Sequence, residues 1–278
     1  MTKKVNQAIE GLIPRVASKV YAKFPKLTGL VRVLASEPGL VEQTWSSRRI
    51  NILSSGIRCT YSYLEIGVQH GTTFEGVSVP NRVAVDPYPK FHPSKLPLGV
   101  EVHSCTSDAY FHELDPERKF DLIFLDGLHE WFQTYQDIVN SLNHLAKGGV
   151  ILIDDVLPVD SISANPSQVE SYKQRVAADS SDRRWHGDVF KTLHALHDYH
   201  SELTFRVILD YEGNSQAVVW VQNVDVNTKI FQTLARPEDY GALTFDLAFP
   251  DGSVPYFFFA GSESEVLSEA IFASQAIR

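Results

Sequence analysis

The stretch "FDLIFLDGLHEWFQTYQD", residues 120–137, begins as an apolar run and ends as an amphipathic helix. The run from Phe120 to Leu125 is too apolar for a strand with one wet face. It reads as a strand covered on both sides, as in a parallel sheet with helices above and below. The helix is predicted over 130–145, where Trp131, Phe132, Tyr135, Ile138, Val139, Leu142 and Leu145 share one face and Gly148–Gly149 follow as a stop. Between strand and helix stand Asp126, Gly127 and His129. A carboxylate closing such a strand, with a histidine three residues on, needs a chemical reason.

Runs of the same kind recur on both sides. "YSYLEIG" (61–67), "RVAVDP" (82–87), "VEVHS" (100–104) and "GVILIDD" (149–155) are strand candidates, rich in Val, Ile, Leu and aromatics. "LTFRVILD" (203–210) and "AVVWVQ" (217–222) flank "EGNS" as a hairpin. Strands alternating with helices and closing on a hairpin imply one doubly wound, Rossmann-like α/β sheet, mostly parallel. Residues 156–184 show no sustained pattern and are rich in Ser, Asp, Asn and Pro, so a long lid or substrate-shaping loop is expected there. The tail from 223 to 278 carries "LTFDLAFPDGSVPYFFFAG", read as a second hairpin, and then a terminal helix. The organisation expected is a helical segment over 1–58, a core over 59–222 and a C-terminal extension over 223–278.

With 278 residues, 44% apolar and 21% charged, the chain can bury a sizeable core. Its formal charge of −9, from 34 acidic and 25 basic residues, argues against a general nucleic-acid binder, which needs a basic field. The N-terminus is the exception. Lys3, Lys4, Arg15, Lys19, Lys23, Lys26 and Arg32 face only Glu10, and Val5, Ile9, Leu12, Ile13, Val16, Val20 and Phe24 recur at helical spacing. A packing helix with a solvated basic face is the plain reading; contact with an anionic partner, a membrane surface or a second copy of the chain is the other. Cys59 and Cys105 are too few for a disulfide framework. No run approaches the ~20 apolar residues of a membrane span, and the first thirty residues lack a signal peptide's apolar core. A cytoplasmic setting is expected.

"YLEIGVQHGTTF" places Glu65, Gly67 and Gly71 at a strand-to-helix turn, where glycines let a ligand approach the backbone. The pattern departs from G-x-G-x-x-G, which lowers a dinucleotide reading. The next strand ends at Asp86, about twenty residues beyond Gly67, where a carboxylate can accept from both hydroxyls of a ribose. Asp86 followed by Pro87 is also a common turn pair. With "EIGVQHG", "VAVDP", "FDLIFLDG" and "LAKGGVILIDD" in order, residues 60–222 resemble the class I S-adenosylmethionine-dependent methyltransferases. The resemblance implies a seven-stranded sheet ending in an antiparallel hairpin. It also implies that Glu65, Gly67 and Gly71 hold the amino-acid end of the cofactor, that Asp86 binds its ribose, and that Ser107 and Asp108 lie near its adenine.

Asp126 ends the fourth strand, and Asp154 and Asp155 end the fifth. Neighbouring strands lie ~4.8 Å apart, so these carboxylates converge at the edge where open α/β sheets bind ligands. Gathered without a Lys or Arg nearby in sequence, they would raise one another's pKa unless a cation joined them. Hard oxygen donors favour Mg2+, with Mn2+ as an alternative. The pattern resembles the metal-dependent sugar O-methyltransferases of macrolide tailoring, which implies Asp126, Asp154 and Asp155 as metal ligands and His129 as base. Asp155 as a turn residue and His129 as a helix cap are the structural alternatives. In "RRWHGDVFKTL" (183–193), Asp188 reads as the N-cap of the next helix, while Trp185 and His186 wall an acceptor pocket or pack structurally.

The expectation is methyl transfer to a hydroxyl of a saccharide or glycosylated metabolite. The alternatives are a catechol-like phenol acceptor, a nicotinamide-dependent oxidoreductase, and a non-catalytic binding protein on the same fold.

Overall fold

In the computed structural model, which describes residues 43–57, 60–91, 97–210, 215–221 and 234–277, the apolar runs form seven strands. These are β1 (Ser62–Ile66), β2 (Asn81–Val85), β3 (Val100–His103), β4 (Phe120–Leu125), β5 (Leu145–Ile153), β6 (Leu203–Ile208) and β7 (Gln216–Val221). Their order is β3-β2-β1-β4-β5-β7-β6. β1 to β5 pair in parallel, and β7 runs antiparallel to both β5 and β6. The doubly wound sheet with its closing hairpin is as the sequence implies. The chain divides into Met1–Gln43 and Thr44–Arg278. The basic N-terminal helices expected over 1–35 lie outside the described residues.

All six residues of β4 are buried, for the reason its composition suggests. Phe120, Ile123 and Leu125 face one core with Trp131, Tyr135, Ile138 and Leu142 of the helix Trp131–Asn143. Leu122 and Phe124 face the other, with Ile50 and Leu53 of the helix Trp45–Gly56 and Val266 and Leu267 of the helix Glu263–Ile277. A strand with an apolar core on each side has no solvent face on which to place polar residues.

Three expectations change. Gly148–Gly149 do not stop the preceding helix, which ends at Asn143. They lie inside β5, whose pairing with β4 shifts register between Phe120 and Leu122; Gly148 takes φ +70° there. The second hairpin does not form over 243–261. Phe245–Ala248, Pro250–Gly252 and Tyr256–Phe258 are short helical turns instead. Pro250 and Pro255 cannot donate to a ladder, and Phe249 packs its ring 5.3 Å from that of Phe190. Finally, the stretch 156–184 is not all loop. Ser167 caps a helix, Gln168–Ala177, that buries only Ser171 and Arg175 and so carries no apolar stripe for the sequence to reveal.

Candidate active site at the carboxyl edge of the sheet

Parallel pairing sets Ile66, Leu125 and Ile153 side by side at the carboxyl ends of β1, β4 and β5. The ladder runs one step further: the Asp126 amide donates to the Ile66 carbonyl at 2.9 Å, and the Asp154 amide to the Leu125 carbonyl at 3.0 Å. Gly67, Asp126 and Asp154 therefore begin adjacent loops. Gly67 has φ +85°, and a Cβ there would fall 2.0 Å from the Asp126 carbonyl oxygen. Only glycine lets the first loop pass the fourth strand so closely. Gly71, at φ +74°, opens the helix Thr72–Gly76.

Around this turn, the Asp86 carboxylate accepts from the amides of Gln69 and Tyr88, each at 2.7 Å. It ties two loops together, and each oxygen keeps a lone pair for a further donor. Glu65 is buried and accepts from the Tyr63 hydroxyl at 2.6 Å. Burial pushes its carboxyl up to about 8, with the Tyr63 bond opposing and the charge of Asp126 reinforcing. A cation placed beside Glu65 would ionise it. Ser107 and Asp108 open the helix Ser107–Glu113, where Gln133 Nε2 reaches Ser107 Oγ at 3.4 Å and Asp108 Oδ1 at 3.2 Å. The same amide donates to Asp137 at 3.2 Å. Burial pushes the Asp137 carboxyl up to about 7 against hydrogen bonds from Ser107 and Gln133. Sequence reasoning missed Gln133 and Asp137. Their only signal was two polar residues one helical turn apart.

The second half of the site centres on His129. Its Nε2 lies 3.5 Å from Asp126 Oδ1 and its Nδ1 3.1 Å from Asp155 Oδ2. Donor atoms of Asp126, His129 and Asp155 all lie within 4.8 Å of one another. Asp154 is placed differently. Its Oδ1 accepts from the Asp155 amide at 2.9 Å, and Gln216 donates to its carboxyl from behind. Asp155 takes φ +59°, a left-handed conformation uncommon for a side chain other than Asn or Asp. That turn aims its carboxylate at His129, so it is more than a turn residue.

The electrostatics of the cluster are unfavourable as it stands. Burial raises Asp126, opposed by His129. Burial, then the charges of Asp126 and Asp155, raises Asp154 well above the carboxylate range. Asp155 is pushed up to about 7, chiefly by burial. Burial works to lower His129, but its bond to Asp126 and the charges of Asp155, Asp126 and Asp154 outweigh it and hold the imidazole up at about 9.

The segment 185–188 wraps this histidine. Trp185 stacks on its ring at 4.6 Å and 12°, and is held by its own Nε1 donating to the Asn165 carbonyl at 2.7 Å. His186 Nε2 lies 4.0 Å from Asp155 Oδ1. A Cβ on Gly187 would fall 1.8 Å from the His129 carbonyl oxygen. Asp188 is not the cap of its own helix, Phe190–Tyr199, whose N-cap is Val189 with no side-chain bond. Its Oδ1 accepts from the Trp131 amide at 2.8 Å and so caps the helix that follows His129. His129 is therefore no helix cap; Glu130 holds that position without a side-chain bond.

The sheet order with its antiparallel seventh strand, and loops opening at Gly67, Asp86, Asp126 and Asp154, define the class I methyltransferase architecture. Residues 64–156 match the family model described as a methyltransferase domain. The match spans β2 to β5 and the turns that carry Gly67, Asp86, Asp126 and Asp154. Among solved structures, the chain is similar to an O-methyltransferase from Bacillus cereus in complex with S-adenosylhomocysteine, at 14% identity and TM-score 0.44, covering 75% of this chain and 97% of that one. It is also similar to an O-methyltransferase of tomaymycin synthesis from Streptomyces achromogenes, in complex with S-adenosylmethionine (14%, 0.42, 66% and 83%). A plantazolicin methyltransferase in complex with S-adenosylhomocysteine and a monoazolic desmethylPZN analog shows the same likeness (12%, 0.46, 80% and 100%). None of the curated proteins compared matches the chain. No helix among the described residues is long and apolar enough to cross a membrane.

Proposed function

We propose that this enzyme transfers the methyl group of S-adenosylmethionine to a hydroxyl oxygen of a small acceptor, a saccharide or glycosylated metabolite, with the help of a divalent cation, Mg2+ or Mn2+. The observation that carries the reading is the half-buried cluster of Asp126, His129 and Asp155, with Asp154 bonded to the Asp155 amide, at the edge where the cofactor turn also opens. Glu65, Gly67 and Gly71 would receive the amino-acid end of the cofactor, Asp86 the ribose, and Ser107 and Asp108 the adenine. The two widely spaced cysteines favour a cytoplasmic setting.

The residues fit a cation. Three carboxyls, each raised by burial, would be favoured in their ionised forms by a divalent cation placed among them. His129 Nδ1 lies 3.1 Å from Asp155 Oδ2 without a well-aligned hydrogen bond between them. Asp126, Asp154 and Asp155 would hold the ion, whose charge would make an adjacent acceptor hydroxyl more acidic. His129 would then accept the hydroxyl proton. Its carboxylate neighbours hold it protonated as it stands, and neutralising them frees the imidazole to act as base near neutral pH. Stacking of Trp185 on the ring and the bond from the Asp188 amide to the His129 carbonyl fix the residue's position. The remaining contribution is alignment of oxygen, methyl carbon and sulfur.

A second reading has support of its own. The donor atoms actually gathered are two carboxylates and an imidazole, which suits His129 as a ligand in place of Asp154 and shifts preference toward Mn2+ and softer metals. Electron paramagnetic resonance of Mn2+ separates the two. His129→Gln leaves Mn2+ affinity close to wild type if His129 is the base, and lowers it about tenfold or more if it is a ligand. Binding of S-adenosylhomocysteine but not of NAD, by calorimetry, separates the methyltransferase from the oxidoreductase reading.

A further inference from the structure

The stretch without a readable pattern builds a cavity of about 340 Å3 beside the catalytic cluster. The helix Gln168–Ala177 supplies Val169, Tyr172 and Arg175 to its lining, and the returning chain supplies Arg183 and Trp185. Among the described residues, none of its lining side chains is acidic, in a chain of net charge −9. Trp185 belongs to both places, since it lines the cavity and its ring stacks on His129. A ligand seated against Trp185 is one ring away from the residue proposed to take the acceptor's proton. The size suits one sugar ring with a substituent.

The two arginines differ. Arg175 is buried and engages Asp160 through both terminal nitrogens, at 2.6 and 2.8 Å, which leaves its Nε buried without a partner. Arg183 lies over the Tyr172 ring at 5.9 Å and donates from Nη1 to the carbonyls of Ser180 and Asp182. No carboxylate pairs with it among the described residues. A guanidinium bonded only to carbonyls keeps its full charge and its planar fork for a ligand oxyanion. Tyr172 and Trp185 offer aromatic surface with a polar tip, which accepts the apolar face of a sugar. We infer that this cavity is the acceptor subsite and that it selects saccharides bearing an oxyanion, a carboxylate or a phosphate, with the ring against Tyr172 and Trp185 and the anion on Arg183. The inference rests on the reading that the acceptor hydroxyl is presented at His129.

Calorimetric titration of the full chain, saturated with S-adenosylhomocysteine, tests it with three probes: phenyl β-D-glucoside, phenyl β-D-glucuronide and the 6-phosphate of the glucoside. The anionic probes should bind about tenfold tighter than the neutral one at low salt, with the margin shrinking as salt rises. Arg183→Ala should remove that margin so that the probes bind alike, and Arg183→Lys should keep part of it. Tyr172→Ala should weaken all three. A margin for the phosphate alone assigns the oxyanion as phosphoryl, and one for the glucuronide alone as carboxylate. Equal affinity for all three probes, no measurable binding of either anion, or a margin that survives Arg183→Ala overturns the inference. Failure of the wild type to bind S-adenosylhomocysteine at the outset would instead overturn the methyl-transfer reading, and it is seen before any probe is added.

Discussion

Replacing Asp188 tests whether a side chain 57 residues away in sequence secures the helix that follows His129. The carboxylate has two partners. Oδ1 accepts from the Trp131 amide at 2.8 Å, and Oδ2 lies 3.0 Å from Lys191 Nζ, with both side chains at least nine-tenths buried. Asp188→Asn keeps an acceptor for Trp131 but leaves the Lys191 charge without its partner. Breaking a buried pair from one side costs about 3–5 kcal/mol. Asp188→Ala also removes the cap, adding about 1 kcal/mol. Removing both charges in Asp188→Asn with Lys191→Met should return stability to within about 1 kcal/mol of wild type, because an uncharged replacement of similar volume avoids the desolvation cost. Urea unfolding followed by circular dichroism measures all four proteins. A stability of Asp188→Asn alone within ~0.5 kcal/mol of wild type, the scale of ordinary surface changes, would refute a stabilising buried pair. A double variant that recovers nothing would refute it equally.

If Glu65 receives the amino-acid end of the cofactor, as proposed, it sets the pH dependence of cofactor binding. Its carboxyl is protonated up to about pH 8 in the free protein because burial raises it. The cofactor's ammonium favours the ionised form, so binding releases a proton; affinity for S-adenosylhomocysteine should rise as pH climbs toward about 8 and then level off. Glu65→Gln should abolish that slope, and calorimetry in buffers of different ionisation heat reads the proton directly. Gly67→Ala forces a Cβ to within 2.0 Å of the Asp126 carbonyl oxygen at a positive φ, so β1 and β4 must part. It should lose S-adenosylhomocysteine binding and at least about 1–3 kcal/mol of stability in the same urea assay. Phe124→Ala in the fully buried centre of β4 should cost about 3–5 kcal/mol while leaving the affinity of the folded fraction for the cofactor unchanged.

The sheet was legible because burial on both faces leaves a coarse signature: β4 and the later part of β5 are apolar at nearly every position, whatever the details of packing. The carboxylates at the strand ends were legible for the same reason, as a charge at the end of an apolar run stands out. What escaped depends on contacts distant in sequence. Asp188 reads locally as the cap of its own helix, and only the fold shows that it caps Trp131. The separation of Asp154 from Asp155 turns on the left-handed conformation of Asp155, which no spacing rule reports. The helix Gln168–Ala177 buries polar residues, Ser171 and Arg175, so hydrophobic periodicity had nothing to detect. Pro250 and Pro255 were visible, but the aromatic run between Tyr256 and Phe259 suggested a strand more strongly than the prolines opposed it.

Methyl transfer to oxygen is proposed to take place at the cluster of Asp126, His129 and Asp155. Methyl-labelled S-adenosylmethionine, incubated with the enzyme and a panel of neutral and acidic saccharides, phenols and glycolipids, tests it most directly, with the product's methyl group located by NMR. The expected product is a methyl ether on a saccharide hydroxyl, formed with Mg2+ or Mn2+, its formation abolished by EDTA and slowed about 10²–10⁴-fold in His129→Gln while cofactor affinity holds. A methyl group found on nitrogen or carbon, or full turnover both after rigorous chelation and in His129→Gln, would contradict the proposal.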